Sequence, residues 1–289
     1  MTAINPASAL ARAGVRPARA RGQNFLVQGA IADRIVAAAA LADAAEVVEI
    51  GPGLGILSER IVCATVGRLS LVELDARLAA QLKTRFAADH RVAVLNRDFL
   101  DTPFNDIIER PPVTIIGNLP FNAASAILER LCAYRGAIKR MVLMFQREVA
   151  ERIRARPRER AYGALSVFTA LYWEIPQHFR VAAGSFHPRP QVDAEVLVFE
   201  PVATSGFASA EERAVLETVR AAFSAPRKII RNALGQALKA DSVHVEAALV
   251  HAAIQPSARA ETLEVTDFVR LSRALVAMLE EFREKIRDA

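Results

Sequence analysis

The stretch at residues 46–55, EVVEIGPGLG, restricts the fold of this chain more than any other. Val47, Val48 and Ile50 are apolar and β-branched on both parities, which suits a strand buried on both faces. Gly51, Gly53 and Gly55 follow at alternate positions, and residues 54–61 read as the next helix. Glycines there permit positive φ and let a ligand approach the backbone closely. Strand, glycine-rich turn and helix in that order open a nucleotide-binding α/β fold, although the third glycine falls too early for the full dinucleotide fingerprint.

The alternation then repeats. Strands are expected near 46–50, 69–74, 92–95, 113–117 and 140–145, with a last one at 195–200. Helices are expected at 31–41, 123–132, 146–154 and 164–173. That order predicts a doubly wound, mainly parallel sheet. Phe186-His187-Pro188-Arg189-Pro190 is a rigid extended segment, and Ser205-Gly206 reads as a linker. From Glu211 onward the pattern is helical, at 211–223, 228–240 and 265–286, which predicts a small second domain. The expected organisation is a basic arm at 1–20, an α/β domain at 21–203 and a helical domain at 204–289.

With 289 residues, 52% of them hydrophobic, the chain can bury a sizeable core plus a smaller domain. Its net charge of +5 is unevenly spread. Arg12, Arg16, Arg19 and Arg21 all precede the first acidic residue, Asp33. A basic, acid-free opening suits nucleic acid and also has the composition of a mitochondrial transit peptide. A second basic run, from Arg147 to Arg160, is either a phosphate-contacting loop or a solvated surface. No stretch reaches the ~18 uncharged apolar residues of a membrane span. Cys63 and Cys132 have no metal or redox spacing, are expected to be buried as small apolar residues, and fit a reducing, cytosolic setting. The five histidines are scattered and form no ligand pattern.

Three strand tips carry candidate chemistry. Residues 113–122, VTIIGNLPFN, begin as a buried strand and stop at Pro120, which cannot donate to a ladder. At that edge Asn118 offers an amide oxygen, Leu119 and Pro120 offer backbone carbonyls, and Phe121 offers a flat apolar face. Acceptors beside an aromatic plate suit a planar base with an exocyclic amine. The competing structural reading is a strand-to-helix turn with Phe121 in the core. The second expected strand ends at Glu73, placed to accept from ribose hydroxyls, while Asp75 suits the cap of the next helix. Asp98, after the third strand, could accept from an adenine amine with Phe99 flanking the ring, or be a turn residue.

Read together, GQNFL at 22–26, EIGPGLG at 49–55, VELD at 72–75, RDFL at 97–100 and GNLPFN at 117–122 resemble the ribosomal RNA adenine dimethyltransferase family. So do YGALSV at 162–167, FHPRPQV at 186–192, AFSAPRKIIRNAL at 222–234 and RAETLEVTDFVRL at 259–271. The resemblance is strongest to the bacterial branch that dimethylates two adjacent adenines near the 3′ end of 16S rRNA. It implies an α/β, Rossmann-like S-adenosylmethionine-dependent methyltransferase fold with a small C-terminal α-helical domain. The implied partner is 16S rRNA within the small ribosomal subunit, for a cytoplasmic monomer with no membrane contact. Asn24, Leu26, Gly51, Gly53, Glu73, Asp98 and Asn118 would line the S-adenosylmethionine site, and Asn118, Leu119, Pro120 and Phe121 would hold the target base. No metal is implied.

Two positions depart from the family pattern. Phe121 stands where Tyr is common, which keeps the stacking face, and Ala194 stands where a small hydroxyl residue is usual. Four other readings compete. The 23S methyltransferases of the macrolide-resistance type usually lack the GPGLG form and carry Ile before the motif's proline. A non-catalytic assembly factor would not need the acceptor cluster, and a mitochondrial relative is hinted at only by the arginine-rich arm. A DNA adenine methyltransferase fits GNLPF but not the GQNFL opening or the helical domain.

Overall fold

The computed structural model describes residues 24–64, 67–202 and 209–287. The expected basic arm at 1–20, the first two residues of GQNFL and the Ser205-Gly206 linker lie outside them. The first half of the chain runs β1 (Phe25–Leu26), α1 (Gly29–Ala38), β2 (Glu46–Ile50), α2 (Ile56–Cys63), β3 (Arg68–Glu73), α3 (Ala76–Arg85), β4 (Val92–Asn96), β5 (Val113–Asn118), α4 (Ala124–Ala133) and β6 (Ile138–Gln146). The second half runs α5 (Arg147–Arg154), α6 (Ala164–Tyr172), β7 (Trp173–Val181), β8 (Phe186–His187), β9 (Ala194–Pro201), α7 (Ser209–Phe223), α8 (Ile230–Leu238), α9 (Ser242–His251) and α10 (Val265–Arg287).

The main sheet has seven strands in the order β4-β3-β2-β5-β6-β9-β7. Strands β2 to β6 are parallel, as the βα alternation requires, and β9 lies antiparallel between β6 and β7. Val47, Val48, Leu69, Leu71, Ile115 and Ile116 are fully buried, so the central strands are covered on both faces. Sequence order reverses between β2 and β5, where Ile50 faces Gly117 in the ladder. That places the glycine turn and the GNLPFN turn side by side at the carboxyl edge, where open α/β sheets bind ligands.

Local chemistry sets the element ends. Asp75 caps α3, its carboxylate accepting from the backbone N–H groups of Arg77 at 2.9 Å and Leu78 at 3.4 Å. Glu46 begins β2 yet is fully buried. Its carboxylate accepts from the N–H groups of Glu109 at 2.8 Å and Arg110 at 2.7 Å, pinning the loop that leads into β5.

Strand β7 is absent from the sequence reading. The expected helix at 164–173 runs one residue past α6, into Trp173 of β7, and EIPQHFRV gives no clear strand pattern because Pro176 interrupts it. The strand tolerates that proline because it lies at the sheet edge, with a register irregularity between Glu174 and Gln177. Cys132 is buried as expected. Cys63, at the end of α2, is exposed, which corrects the expectation for it. Ala194 is fully buried in β9, opposite Gln146 and Val181, so a hydroxyl there would need a partner inside the sheet.

The chain divides into two compact units. One holds the described residues up to Ala150 together with Trp173–Pro201, and the other holds Glu151–Tyr172 together with the described residues from Val202. The single boundary expected at 203/204 does not contain the grouping of Glu151–Tyr172 with the second unit. Within that unit Tyr162 donates its hydroxyl to the Leu263 carbonyl at 2.9 Å and packs edge-on against Phe223, which ties the YGALSV segment to the helices. Among the described residues no helix is long and apolar enough to cross a membrane.

Candidate active site

A cavity of about 510 Å³ opens at the carboxyl edge of β2, β3, β4 and β5. Every residue expected in a site lines it: Asn24, Leu26, Gly51, Gly53, Glu73, Asp98, Asn118, Leu119, Pro120 and Phe121. Three wall groups surround it: the glycine turn, the tips of β3 and β4, and the segment after β5.

The glycine turn needs its glycines. Gly51, Gly53 and Gly55 have φ of 68°, 56° and 78°, the left-handed region where a side chain is strained. A Cβ on Gly53 would also lie 2.9 Å from the Phe25 ring. Phe25 therefore roofs the turn, a contact no local pattern in the sequence announces. Arg85 of α3 supports the turn from the other side, donating to the Leu54 carbonyl at 2.7 Å and pairing with Glu59 at 3.2 Å.

Glu73 ends β3 with its carboxylate inside the cavity wall, 5% exposed. One oxygen accepts from the Gly53 N–H at 2.9 Å and the other from the Asp75 N–H at 2.8 Å. The acidic strand tip thus fixes the glycine turn as well as facing the ligand space. Burial raises its pKa above the usual carboxylate range, and the two N–H groups act against that rise. Asp75 is the helix cap, as expected, and Glu73 stands on the cavity wall.

Glu49 also lines the cavity, a position for which the sequence reading assigns no role. It accepts a hydrogen bond from the Ser58 hydroxyl at 2.6 Å. Burial pushes its carboxyl up to about 8, the Ser58 bond opposes this, and Glu73 adds to it. The folded-state pKa lies above the ordinary value of about 4.3. The stability carried by protonated Glu49 is therefore complete below the ordinary value and is lost as pH rises through about 8. The melting temperature of Glu49→Gln is expected to fall less than that of the wild type between about pH 6 and 9, because glutamine keeps the Ser58 bond and has no proton to lose. Parallel melting curves for the two proteins across that range would show that Glu49 does not titrate there.

Asp98 follows β4 and organises its own loop. Its Oδ1 accepts from the Leu100 N–H at 2.8 Å, and its carbonyl accepts from the Thr102 N–H at 3.0 Å and the Thr102 hydroxyl at 2.6 Å. It is both a turn residue and a cavity residue, so the two readings of it are compatible. Phe99, expected to flank a ring, is buried at 5% exposure and lines the cavity wall. Leu74, which the sequence reading passes over, is 59% exposed on the same wall. An apolar side chain left that open beside polar groups is a natural face for an aromatic ring.

After β5 the geometry separates acceptors that the sequence leaves equivalent. The Asn118 side-chain amide donates to the Asn24 carbonyl at 3.0 Å. That bond orients the amide, so Oδ1 is the group without a partner among the described residues. Pro120's carbonyl accepts from the Ala123 N–H at 2.9 Å, closing the turn into α4. Of the two carbonyls offered at this edge, that of Pro120 is engaged in a turn. The Leu119 carbonyl has no such bond among the described residues and stands with Asn118 Oδ1 as the second acceptor. Phe121 is half-buried against the core and lines the cavity.

The Asn24 carbonyl is itself held in place. Phe25 and Leu26 pair with His187 and Phe186 in the small β1–β8 sheet. Val27 N–H donates to the Ser185 carbonyl at 2.9 Å, and the Ser185 hydroxyl bonds Gln28 at 2.9 Å. Asn24–Leu26 and Phe186–His187, distant in sequence, therefore form one support for the Asn118 amide.

The cavity pairs an apolar, partly aromatic wall and a strand-tip carboxylate with two carbonyl-type acceptors beside an aromatic face. These groups fit an adenosyl methyl donor at one end and a base amine at the other. A family model described as ribosomal RNA adenine dimethylase matches residues 17–276. Ribosomal RNA small subunit methyltransferase A of Syntrophotalea carbinolica is 38% identical over 261 residues, covering 90% of this chain and 97% of that protein. The protein of that name from Desulforapulum autotrophicum is 39% identical over 261 residues, covering 89% and 91%. Among solved structures, a dimethyladenosine transferase from Plasmodium falciparum shares the fold with a TM-score of 0.73 at 23% identity, covering 90% of this chain and 98% of that one. The 23S rRNA methyltransferase ErmE superposes with a TM-score of 0.64 at 27% identity, covering 88% and 100%.

Proposed function

The chain belongs to the ribosomal RNA adenine dimethylase family, and from that premise we propose that it methylates the N6 amine of two adjacent adenines near the 3′ end of 16S rRNA, within the small ribosomal subunit. The methyl donor is S-adenosylmethionine. The observation that carries this reading is the Asn118 amide: it donates to the Asn24 carbonyl, which leaves Oδ1 beside the Leu119 carbonyl and Phe121 in the cavity shared with Gly51 and Glu73. The 23S reading is not favoured, because the curated relatives named above are small-subunit enzymes.

S-adenosylmethionine supplies an electrophilic methyl group on a sulfonium. Glu73 would hold the ribose hydroxyls, the glycine turn would accommodate the amino-acid end through its backbone, and Asp98 with Phe99 would face the adenine. On the substrate side, the target adenine leaves its stack, which takes a few kcal/mol, and lies on Phe121. Asn118 Oδ1 and the Leu119 carbonyl accept the two amine hydrogens. Those bonds draw the hydrogens out of the ring plane and turn the nitrogen lone pair away from conjugation. Catalysis is then mostly positioning. The nitrogen becomes acidic once methylated and loses its proton afterward, so no strong base is needed beforehand. A monomethylated amine keeps one hydrogen for these acceptors, which leaves the second transfer open.

The test is incubation of purified protein with labelled S-adenosylmethionine and small subunits lacking the modification, followed by nucleoside analysis. Dimethyladenosine at two adjacent 16S positions is the expected result. Label on large-subunit RNA would transfer the assignment to 23S rRNA. Subunit binding without methyl transfer would make the protein an assembly factor.

A further inference from the structure

The side of the cavity formed by Asp98, Phe99 and Leu100 is a loop with no strand or helix of its own. Asp98 ties it to itself through Leu100 and Thr102. Its backbone carbonyls are bonded from α4 by one side chain. Arg130, in the last turn of α4, donates from one guanidinium nitrogen to the Leu100 carbonyl and from the other to the Thr102 carbonyl, the latter at 2.5 Å.

The guanidinium also sits among rings. Its central carbon lies 5.9 Å from the centroid of Phe99 and 5.8 Å from that of Tyr134. Phe104 stacks on Tyr134 at 4.5 Å and meets Phe99 edge-on at 6.4 Å. The Arg130 Nε is buried without a partner, so the two terminal nitrogens carry its hydrogen bonding. One turn earlier on the same helix, Ile127 lines the cavity directly. At its other end, α4 begins just after the Asn118–Asn122 turn. A single rigid helix thus borders the target-base turn and, through Arg130, holds the loop on the opposite wall.

We propose that Arg130 is a positioning residue for the methyl donor: by bridging the Leu100 and Thr102 carbonyls from α4 it holds the Asp98–Leu100 loop in the form that receives the donor's adenine. A planar fork can span two carbonyls, whereas a lysine ammonium is a point charge that cannot reproduce the span. This inference rests on the reading of the cavity as the S-adenosylmethionine site.

The experiment measures S-adenosylmethionine affinity by calorimetry, steady-state kinetics on small subunits, and melting temperature for the wild type, Arg130→Lys and Arg130→Met. Both variants are expected to bind the donor about tenfold more weakly and to show a similar rise in its KM. The kcat at saturating donor should stay within about threefold of wild type. Arg130→Lys is expected to recover melting temperature toward wild type without recovering affinity. Unchanged affinity in both variants, with the wild type binding normally, overturns the role of Arg130 alone. So does a loss of kcat that tracks melting temperature while KM stays fixed, since that is the signature of general destabilisation. Failure of the wild type to bind the donor at all overturns both the cavity reading and this inference.

Discussion

Asn118→Ala is expected to lower turnover by about 10²–10³-fold, the usual effect of removing one preorganised polar contact to a reacting group. Its effect on S-adenosylmethionine affinity should be several-fold at most. The two ends of the amide have different tasks. The nitrogen end bonds the Asn24 carbonyl, and the oxygen end is the acceptor for the base amine in the proposed reaction. Alanine removes the acceptor and leaves the Leu119 carbonyl to work alone, so the second amine hydrogen stays in the ring plane. Single-turnover methylation at saturating donor is the informative measurement, because it separates chemistry from product release. Near-normal single-turnover rates would remove Asn118 from the chemistry. A parallel collapse of donor affinity would instead assign it to the donor side.

Glu73→Ala should do the opposite. Its carboxylate holds the Gly53 N–H and, in the proposed reading, the ribose hydroxyls. Hydrogen bonds to a charged group contribute about 1.5–3 kcal/mol each. Losing two of them corresponds to a hundredfold or greater weakening of donor binding, at about 1.4 kcal/mol per factor of ten. The loss should appear in Kd and in KM for the donor, with kcat at saturation changed by much less. Glu73→Gln keeps one oxygen for the Gly53 N–H and should fall between the two. If Glu73→Ala binds the donor as the wild type does, the ribose is held elsewhere and Glu73 serves the turn only.

The parts of the fold and site that are legible in the sequence share a local physical cause. The central strands announce themselves because burial on both faces demands unbroken apolar runs, as in Val47-Val48 and Ile115-Ile116. Gly51, Gly53 and Gly55 are legible because alternate glycines before a helix suit positive φ. Glu73 and Asp75 can be told apart because a cap position is defined by the helix it begins. The illegible parts depend on partners distant in sequence or on backbone bonds. The Phe25 ring over Gly53, the Arg130 bridge to Leu100 and Thr102, and the two-residue strands β1 and β8 have no period to detect. The difference between the Leu119 and Pro120 carbonyls rests on one turn hydrogen bond from Ala123. Strand β7 is hidden by the proline that its edge position allows.

The small sheet that joins Phe25–Leu26 to Phe186–His187 has a consequence for the order of events during synthesis. The residue that orients Asn118 lies near the start of the chain, but its anchor comes from the last strands of the α/β unit. Strands β2 to β6 emerge before β8, and they carry the glycine turn and the Asn118–Asn122 turn of the cavity. They remain incomplete until β8 leaves the exit tunnel and fastens the early segment in place. Domains generally fold as units as they are translated, yet this unit interleaves its beginning with its end. A nascent chain that has emerged only to Ala150 carries every residue that lines the cavity without the strand that clamps Phe25–Leu26. The partner strand that fastens the start of this rRNA methyltransferase chain is thus translated after every residue that lines its cavity.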